Sequence, residues 1–233
     1  MAPVIAIPYG ARIFSMPPPV VNAESLVELV TTPVGPQRTA NAWSYPDFVD
    51  LRNADTGIAI IGWATGESEI TLPGGVTTRS STMFASASYF RTIGVALARG
   101  PGFDEAMDSP LRAEPVVILG YNFWQNRLAS DPDIIGKTLT LDEIPHFVVG
   151  IAPDLFEGHL GFQGREPFVP LERHPLFVTD NNVRFDRGNE WVHIHGRLSP
   201  GVGIAQASAA VSAVTSRLAK QISGDERVQG GHR

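Results

Sequence analysis

The sequence contains no cysteine, which excludes disulfides, thiolate metal sites and cysteine nucleophiles together. Lysine and arginine never stand side by side. With a formal net charge of -6 and a pI near 5.5, the chain offers no basic track for a phosphate backbone, so nucleic acid is not an expected partner. No window reaches the run of about eighteen apolar residues that a membrane span requires. Residues 1–14 have no basic leading region, and Pro8 and Gly10 interrupt their apolar run. They do not read as a signal peptide, and an export signal for an extracytoplasmic domain is expected outside this stretch.

Catalytic signatures are also missing. No Gly-x-Ser-x-Gly elbow surrounds Ser80, Ser81 or Ser86, so acyl transfer has no support. The glycines at 158, 161 and 164 are not followed by the Lys-Ser or Lys-Thr pair that reaches phosphate and magnesium, so ATP is not an expected ligand. His193 and His195 stand two apart on a predicted strand and face one side, a spacing compatible with a metal. With no cysteine available and only Glu190 or Asp186 to complete a set, ordinary cross-strand histidines are the preferred reading. His146, His159 and His174 are isolated in sequence. Asp104-Glu105, Asp131 with Asp133, and Asp142-Glu143 fall at turns or caps, where carboxylates serve the backbone. No catalytic residue, metal ligand or cofactor is assigned.

What is present describes a folded protein. Hydrophobic residues make up 43% and charged residues 18%, with a mean hydropathy of +0.01, and this balance argues against wholesale disorder. Nineteen prolines and twenty-three glycines imply many turns. The length suits one body with two lobes.

Residues 115–153 are the best-punctuated part of the chain. Val116-Val117-Ile118-Leu119 is a short, continuous apolar run, the signature of a strand buried on both faces. Gly120 is a permissive N-cap for a helix carrying Trp124 and Leu128, which Asp131-Pro132-Asp133 ends. The period then changes to two through Lys137 to Leu141 and Phe147 to Ile151, which predicts a hairpin. Upstream, Leu26 to Thr31 reads as a strand. Ser44 caps a helix to about Asn53, with Asp47 at its third position and Pro46 in the first turn. Gly57 to Ala64, Glu67 to Leu72 and Val76 to Ala85 read as a meander. Ser86 opens a short helix that ends at Gly94. The loop from Arg99 to Glu114 is a candidate lobe boundary.

Downstream, residues 154–165 form a Gly-rich loop holding Leu155, Phe156, Leu160 and Phe162. These apolar residues either tuck beneath the loop or present a contact surface. Trp191 to Leu198 alternates as a strand, and Ile204 to Ile222 carries a stripe of Ala207, Val211, Val214, Leu218 and Ile222 at helical spacing.

The succession Ser44-Tyr45-Pro46-Asp47-Phe48, Leu51-Arg52 and Tyr89 to Val95 resembles the periplasmic core domain of MacB-like ABC transporter permeases. Val116 to Leu119, Trp124 to Arg127, Asp131-Pro132, Ile135 to Leu139, Val148 to Pro153, Phe168 to Leu171 and Arg197 to Val202 follow in that family's order. The Tyr-Pro-Asp form is similar to the duplicated bacterial subgroup of these permeases. Two positions depart from the pattern. Asp142-Glu143 replaces a common Asn-Gly turn, and because Glu tolerates positive φ poorly, a longer or different turn is expected. Gly203 stands where a Ser or Thr cap is usual, with Gln206 still at the third helical position.

The resemblance implies an α+β extracytoplasmic domain of two lobes, a porter-like α/β lobe with an inserted, mainly β sabre-like lobe. The porter-like lobe is expected over 23–108 and 190–223, and the sabre-like lobe over 109–172. Residues 1–22 would be a tether, 173–189 a connecting loop and 224–233 a polar tail. It implies a non-catalytic role in which ATP hydrolysis by a cytoplasmic ATPase subunit is coupled to mechanical rearrangement outside the membrane, for export or transmembrane signalling. The implied partners are the transmembrane helices of its own permease chain, with a second permease copy or a periplasmic adaptor as further candidates. The implied location is the periplasmic or extracellular face of the bacterial inner membrane. Phe156, Leu160 and Phe162 are the candidate partner contact. The competing readings are a stand-alone secreted ligand-binding or sensor module, and an enzyme using unrecognised carboxylates with His193 or His195.

Overall fold

The computed structural model describes residues 4–8, 20–31, 42–109, 112–156, 158, 165–175 and 179–230. Its strands are β1 Val4–Pro8, β2 Leu26–Thr31, β3 Trp43–Ser44, β4 Ile58–Thr71, β5 Thr77–Ala85, β6 Val116–Leu119, β7 Thr138–Leu141, β8 Ile144–Ile151, β9 Arg165–Pro170 and β10 Glu190–Leu198. The helices are α1 Tyr45–Asn53, α2 Tyr89–Ile93, α3 Tyr121–Arg127 and α4 Ile204–Gly230. The fold is mixed α/β. The chain divides into two compact units, one holding Glu24–Ile60, Phe185 onward and β1, the other holding Ile61–Arg184.

The first unit is assembled from separated stretches. β2 pairs antiparallel with β1 on one side and with the C-terminal half of β10 on the other, and β3 pairs with the start of β10. Val4 to Pro8 is therefore a strand and not part of a tether. It pairs with β2 from Val4↔Thr31 to Pro8↔Val27, and Pro8 occupies the last position, where a proline is tolerated. Ser44 caps α1 as the sequence predicts. The Asp47 amide donates to Ser44 Oγ at 3.2 Å, and the Ser44 hydroxyl donates to the Asp47 carboxylate at 2.8 Å. Phe48 and Leu51 bring the inner face of α1 to full burial. Ala207, Val211, Val214 and Leu218 do the same for α4, which begins when the Ala207 amide donates to the Gly203 carbonyl at 3.0 Å. That helix runs to Gly230, so residues 224–230 are helical where a polar tail was expected. Asp225, Glu226, Arg227 and Gln229 are helix-compatible, and Gly224 alone is too small a penalty to end the helix.

Close backbone approach is decisive at Gly196 on β10. A Cβ there would lie 2.4 Å from Ile58 Cγ2 and 2.7 Å from the Ala59 carbonyl oxygen, so no other residue fits without displacement.

The second unit is a closed ring of strands in the order β4-β5-β9-β6-β8-β7, with β7 returning to β4 through Ile70↔Leu141 and Thr71↔Thr140. β5 with β9 and β6 with β8 are parallel, and the other pairs are antiparallel. Val116 to Leu119 is buried throughout, as a strand hydrogen-bonded on both edges and covered on both faces should be. The core of the ring is aromatic. The Phe168 ring lies 5.0 Å from Phe90, 5.8 Å from Phe156 and 6.2 Å from Tyr89 between centroids.

Four expectations change in this unit. β4 is one strand of fourteen residues, not two, because Gly62 and Gly66 continue it. The Gly62 amide donates to Ser86 Oγ at 3.1 Å, and Gly66 leaves room for the Phe84 ring, 3.1 Å from where a Cβ would stand. The unit boundary falls inside β4 between Ile60 and Ile61, away from the expected break near residue 108, since β5 pairs with β9 and β4 with β7. The loop beyond Arg99 is likewise no boundary. It lies on β8, where Arg99 bridges Ile151 and Gly100, at φ +84, packs so closely that a Cβ would meet the Val149 oxygen at 2.4 Å.

The hairpin turn is also shorter than expected. Asp142 at φ 48 and Glu143 at φ 64 form the two-residue link between β7 and β8, with both residues in the left-handed region that a type I′ turn requires. Asp142 is held from outside the turn. Its amide donates to the Glu69 carbonyl at 2.8 Å, and its carboxylate accepts the Glu69 amide at 2.8 Å.

Candidate functional site

A pocket of about 310 Å³ opens in the ring unit, lined by Ser68 of β4, Phe84 of β5, Leu141 of β7, His146 of β8 and Arg173 just beyond β9. Alternation places these side chains there. On β7 and β8 the buried residues Leu139, Leu141, His146 and Val148 point inward while Phe147 is 53% exposed, the pattern of a strand with one covered face. The walls are chiefly apolar, from Phe84, Leu141, Ile144 and Val169. Charge enters through Glu67, Asp142 and Arg173.

His146 is buried, with Nδ1 2.8 Å from the Ile144 carbonyl oxygen. Burial pushes its pKa below the ordinary histidine value, and the positive charge of Arg173 acts in the same direction. The bond to the Ile144 carbonyl opposes the shift. His174, beside the pocket, meets the Phe84 ring edge-on at 4.6 Å, and burial lowers its pKa to about 4. Both imidazoles are neutral at pH 7. The neighbouring Glu172 carboxylate is buried and pairs with Arg184, which also donates to the Glu172 carbonyl at 3.2 Å.

This arrangement suits the holding of a small apolar group more than bond chemistry. Ser68 and His146 line the same pocket without a hydrogen bond between them, so no activated nucleophile is assembled there. Among the described residues, no three His, Asp or Glu side chains gather as a metal set. His193 and His195 lie on β10, His195 buried and His193 half-buried.

Of the predicted contact residues, Phe156 is a core side chain, 2% exposed and packed on Phe90 and Phe168. Its ring presents no surface to a partner. Leu160 and Phe162 lie outside the described residues. Among the described residues of this loop, Leu155, at φ 63 and 66% exposed, faces solvent. The pocket itself escaped sequence reasoning because its lining comes from four separated stretches.

The family description of the MacB-like periplasmic core domain matches residues 14–214. The chain belongs to this family. MacB-like periplasmic core domains are the extracytoplasmic parts of ABC transporter permeases, so its setting is transport. Solved structures of other transporter domains share the fold. The periplasmic region of MacB from Actinobacillus actinomycetemcomitans is 16% identical with a TM-score of 0.61, over 83% of each chain. The extracellular domain of YknZ, a noncanonical ABC-type transporter from Gram-positive bacteria, is 15% identical with a TM-score of 0.55, over 78% of this chain and 88% of that one. No curated protein matches the sequence. None of the described helices is long and apolar enough to cross a membrane.

Proposed function

We propose that this MacB-like domain is the extracytoplasmic part of an ABC permease, anchored by its own chain's membrane helices and performing no chemical step. The match over residues 14–214 carries this reading. ATP hydrolysis by a cytoplasmic ATPase subunit drives the permease helices, and the domain converts their movement into rearrangement outside the membrane, for export or signalling. The unit built from separated stretches, which holds both β1 and α4, is our candidate for the porter-like lobe, and the ring unit for the inserted sabre-like lobe. A second permease copy or a periplasmic adaptor docks on a surface other than the Phe156 ring.

The test is a spin-labelled full-length permease reconstituted with its ATPase. This domain contains no cysteine, so once any cysteine elsewhere in the permease is replaced by serine, Val76→Cys in the ring unit and Ser199→Cys in the other unit are the labelled positions. The separation between labels is expected to change between nucleotide-free and nucleotide-trapped states. An identical distance distribution in both would overturn mechanical coupling. Apolar runs of about twenty residues on both sides of this domain in the reading frame are the expected anchors.

The apolar pocket beside His146 favours a second reading, a secreted ligand-binding or sensor module. A stop codon close after Arg233, with only a cleavable signal upstream, would make it the working model.

A further inference from the structure

We infer that the ring unit carries an oxyanion-binding groove between β5 and α3, fitted to a phosphate group. The groove holds about 440 Å³ and is lined by Thr78, Arg79 and Ser80 from β5 and by Asn122, Asn126 and Arg127 from α3. Every one of these side chains can donate a hydrogen bond, and no carboxylate lines the groove. In a chain of net charge -6, two arginines line one concavity whose own lining holds no acid.

Among the described residues, neither Arg79 nor Arg127 forms an ion pair. Glu69 stands opposite Arg79 in the β4–β5 register without pairing with it. Asp131, four residues beyond Arg127, is bonded to Lys137 at 2.6 Å. Asn122 and Asn126 are four apart on α3 and so share a face. On the strand side, the register of β9 on β5 begins at Ser81, so among the described residues no strand covers that edge of Thr78 to Ser80.

The number of donors selects the ligand class. A carboxylate has two oxygens, which a single arginine fork can satisfy, whereas a phosphate group offers three or four and rewards two guanidinium groups with amide and hydroxyl donors around them. The phosphate could belong to a soluble phosphoester or to a lipid headgroup. This site is independent of the apolar pocket and of the coupling role.

The test uses the 233-residue domain and two probes. Inorganic phosphate is titrated against chloride at matched ionic strength while amide resonances are followed by NMR. Vesicles of phosphatidylcholine with and without phosphatidylglycerol are offered in a flotation assay. Saturable shifts at 78–80 and 122–127, or flotation only with phosphatidylglycerol, are expected. R79Q and R127Q should each weaken binding about ten-fold, in line with loss of a charge-assisted bond, while R217Q on exposed α4 should leave it unchanged. Phosphate binding without flotation identifies a soluble ligand, and flotation a headgroup. Both Arg79 and Arg127 are exposed, so unchanged circular dichroism is expected in the variants. No saturable binding of either probe, or equal binding by the R79Q/R127Q double variant, would overturn the proposal.

Discussion

All six strands of the ring come from one unbroken stretch of chain, whereas the other unit gathers β1, β2, α1, β10 and α4 from segments far apart in sequence. The ring closes where β7 pairs with β4, and its centre is a cluster of aromatic rings around Phe168. The segment-built unit depends on fit at a few points, among them the Gly196 contact with Ile58 and Ala59 and the Arg187 guanidinium bridging Asp47 and Asp50. Closure spreads stability over many hydrogen-bonded neighbours. Assembly from distant segments concentrates it where the segments touch, and such contacts carry a larger loop-closure cost. The ring should therefore lose stability mainly through lost volume, and the other unit through lost fit.

The sharpest test of that contrast is Phe168→Ala. Phe168 is fully buried with three aromatic neighbours, so the cavity is expected to cost about 3–5 kcal/mol. Hydrogen exchange should show the loss in β5, β6 and β9 before it appears in α4. Equal acceleration in both units would mean that the chain unfolds as one block.

Acid should weaken the ring next. His174 has its pKa lowered to about 4 from 6.5 by burial, so above pH 6.5 both folded and unfolded states hold it neutral and it has no effect. As pH falls through 6.5 the unfolded state takes up a proton that the folded state refuses, and stability drops until about pH 4. The loss is on the order of a few kcal/mol. His146 shifts in the same direction and adds to it. Urea midpoints of His174→Leu should show a shallower slope between those pH values, and an unchanged slope would remove His174 from this role.

In the segment-built unit, Gly196→Ala forces a methyl group against the Ile58 side chain and the Ala59 carbonyl. A cost of about 2–3 kcal/mol is expected, the range of overpacking in a core that cannot shift freely. Chemical denaturation measures it, with α4 and β2 amides reporting the loss. A change within about 0.5 kcal/mol, the range of ordinary surface substitutions, would show that β10 can move away from β4.

Local chemistry decided which parts of this molecule could be read from sequence. β6, the Gly120-capped α3, the Ser44–Asp47 cap and the stripe on α4 each declare themselves within a few residues. The failures share another cause. Gly66 looks like a strand break until Phe84 is placed beside it, and Val4 to Pro8 resembles a tether until β2 supplies its partner. Phe156 sits on a glycine-rich loop that suggested an exposed contact, yet its neighbours Phe90 and Phe168 come from distant segments. The pocket near His146 and the groove between Arg79 and Arg127 were illegible for the same reason. Each joins residues that no sequence window contains.

The smallest expected effect concerns the turn that completes the ring. Glu143 is held at φ 64, a conformation costing a non-glycine residue about 1–2 kcal/mol. Glycine removes that strain but frees the unfolded chain by about 0.4–1 kcal/mol. Glu143→Gly should therefore stabilise by about 0.5 kcal/mol, visible as a small rise in Tm. Asp142→Ala should act in the opposite sense, by about 1 kcal/mol, because the Glu69 amide loses the carboxylate that accepts its hydrogen bond. The amides of Glu69 and Ile70 separate the two effects, since they report the β4–β7 seam directly. Slower exchange there in Glu143→Gly and faster exchange in Asp142→Ala would place ring closure under the control of this turn. Indifference of those amides to both changes would instead assign closure to the buried Ile70 and Leu141 pair.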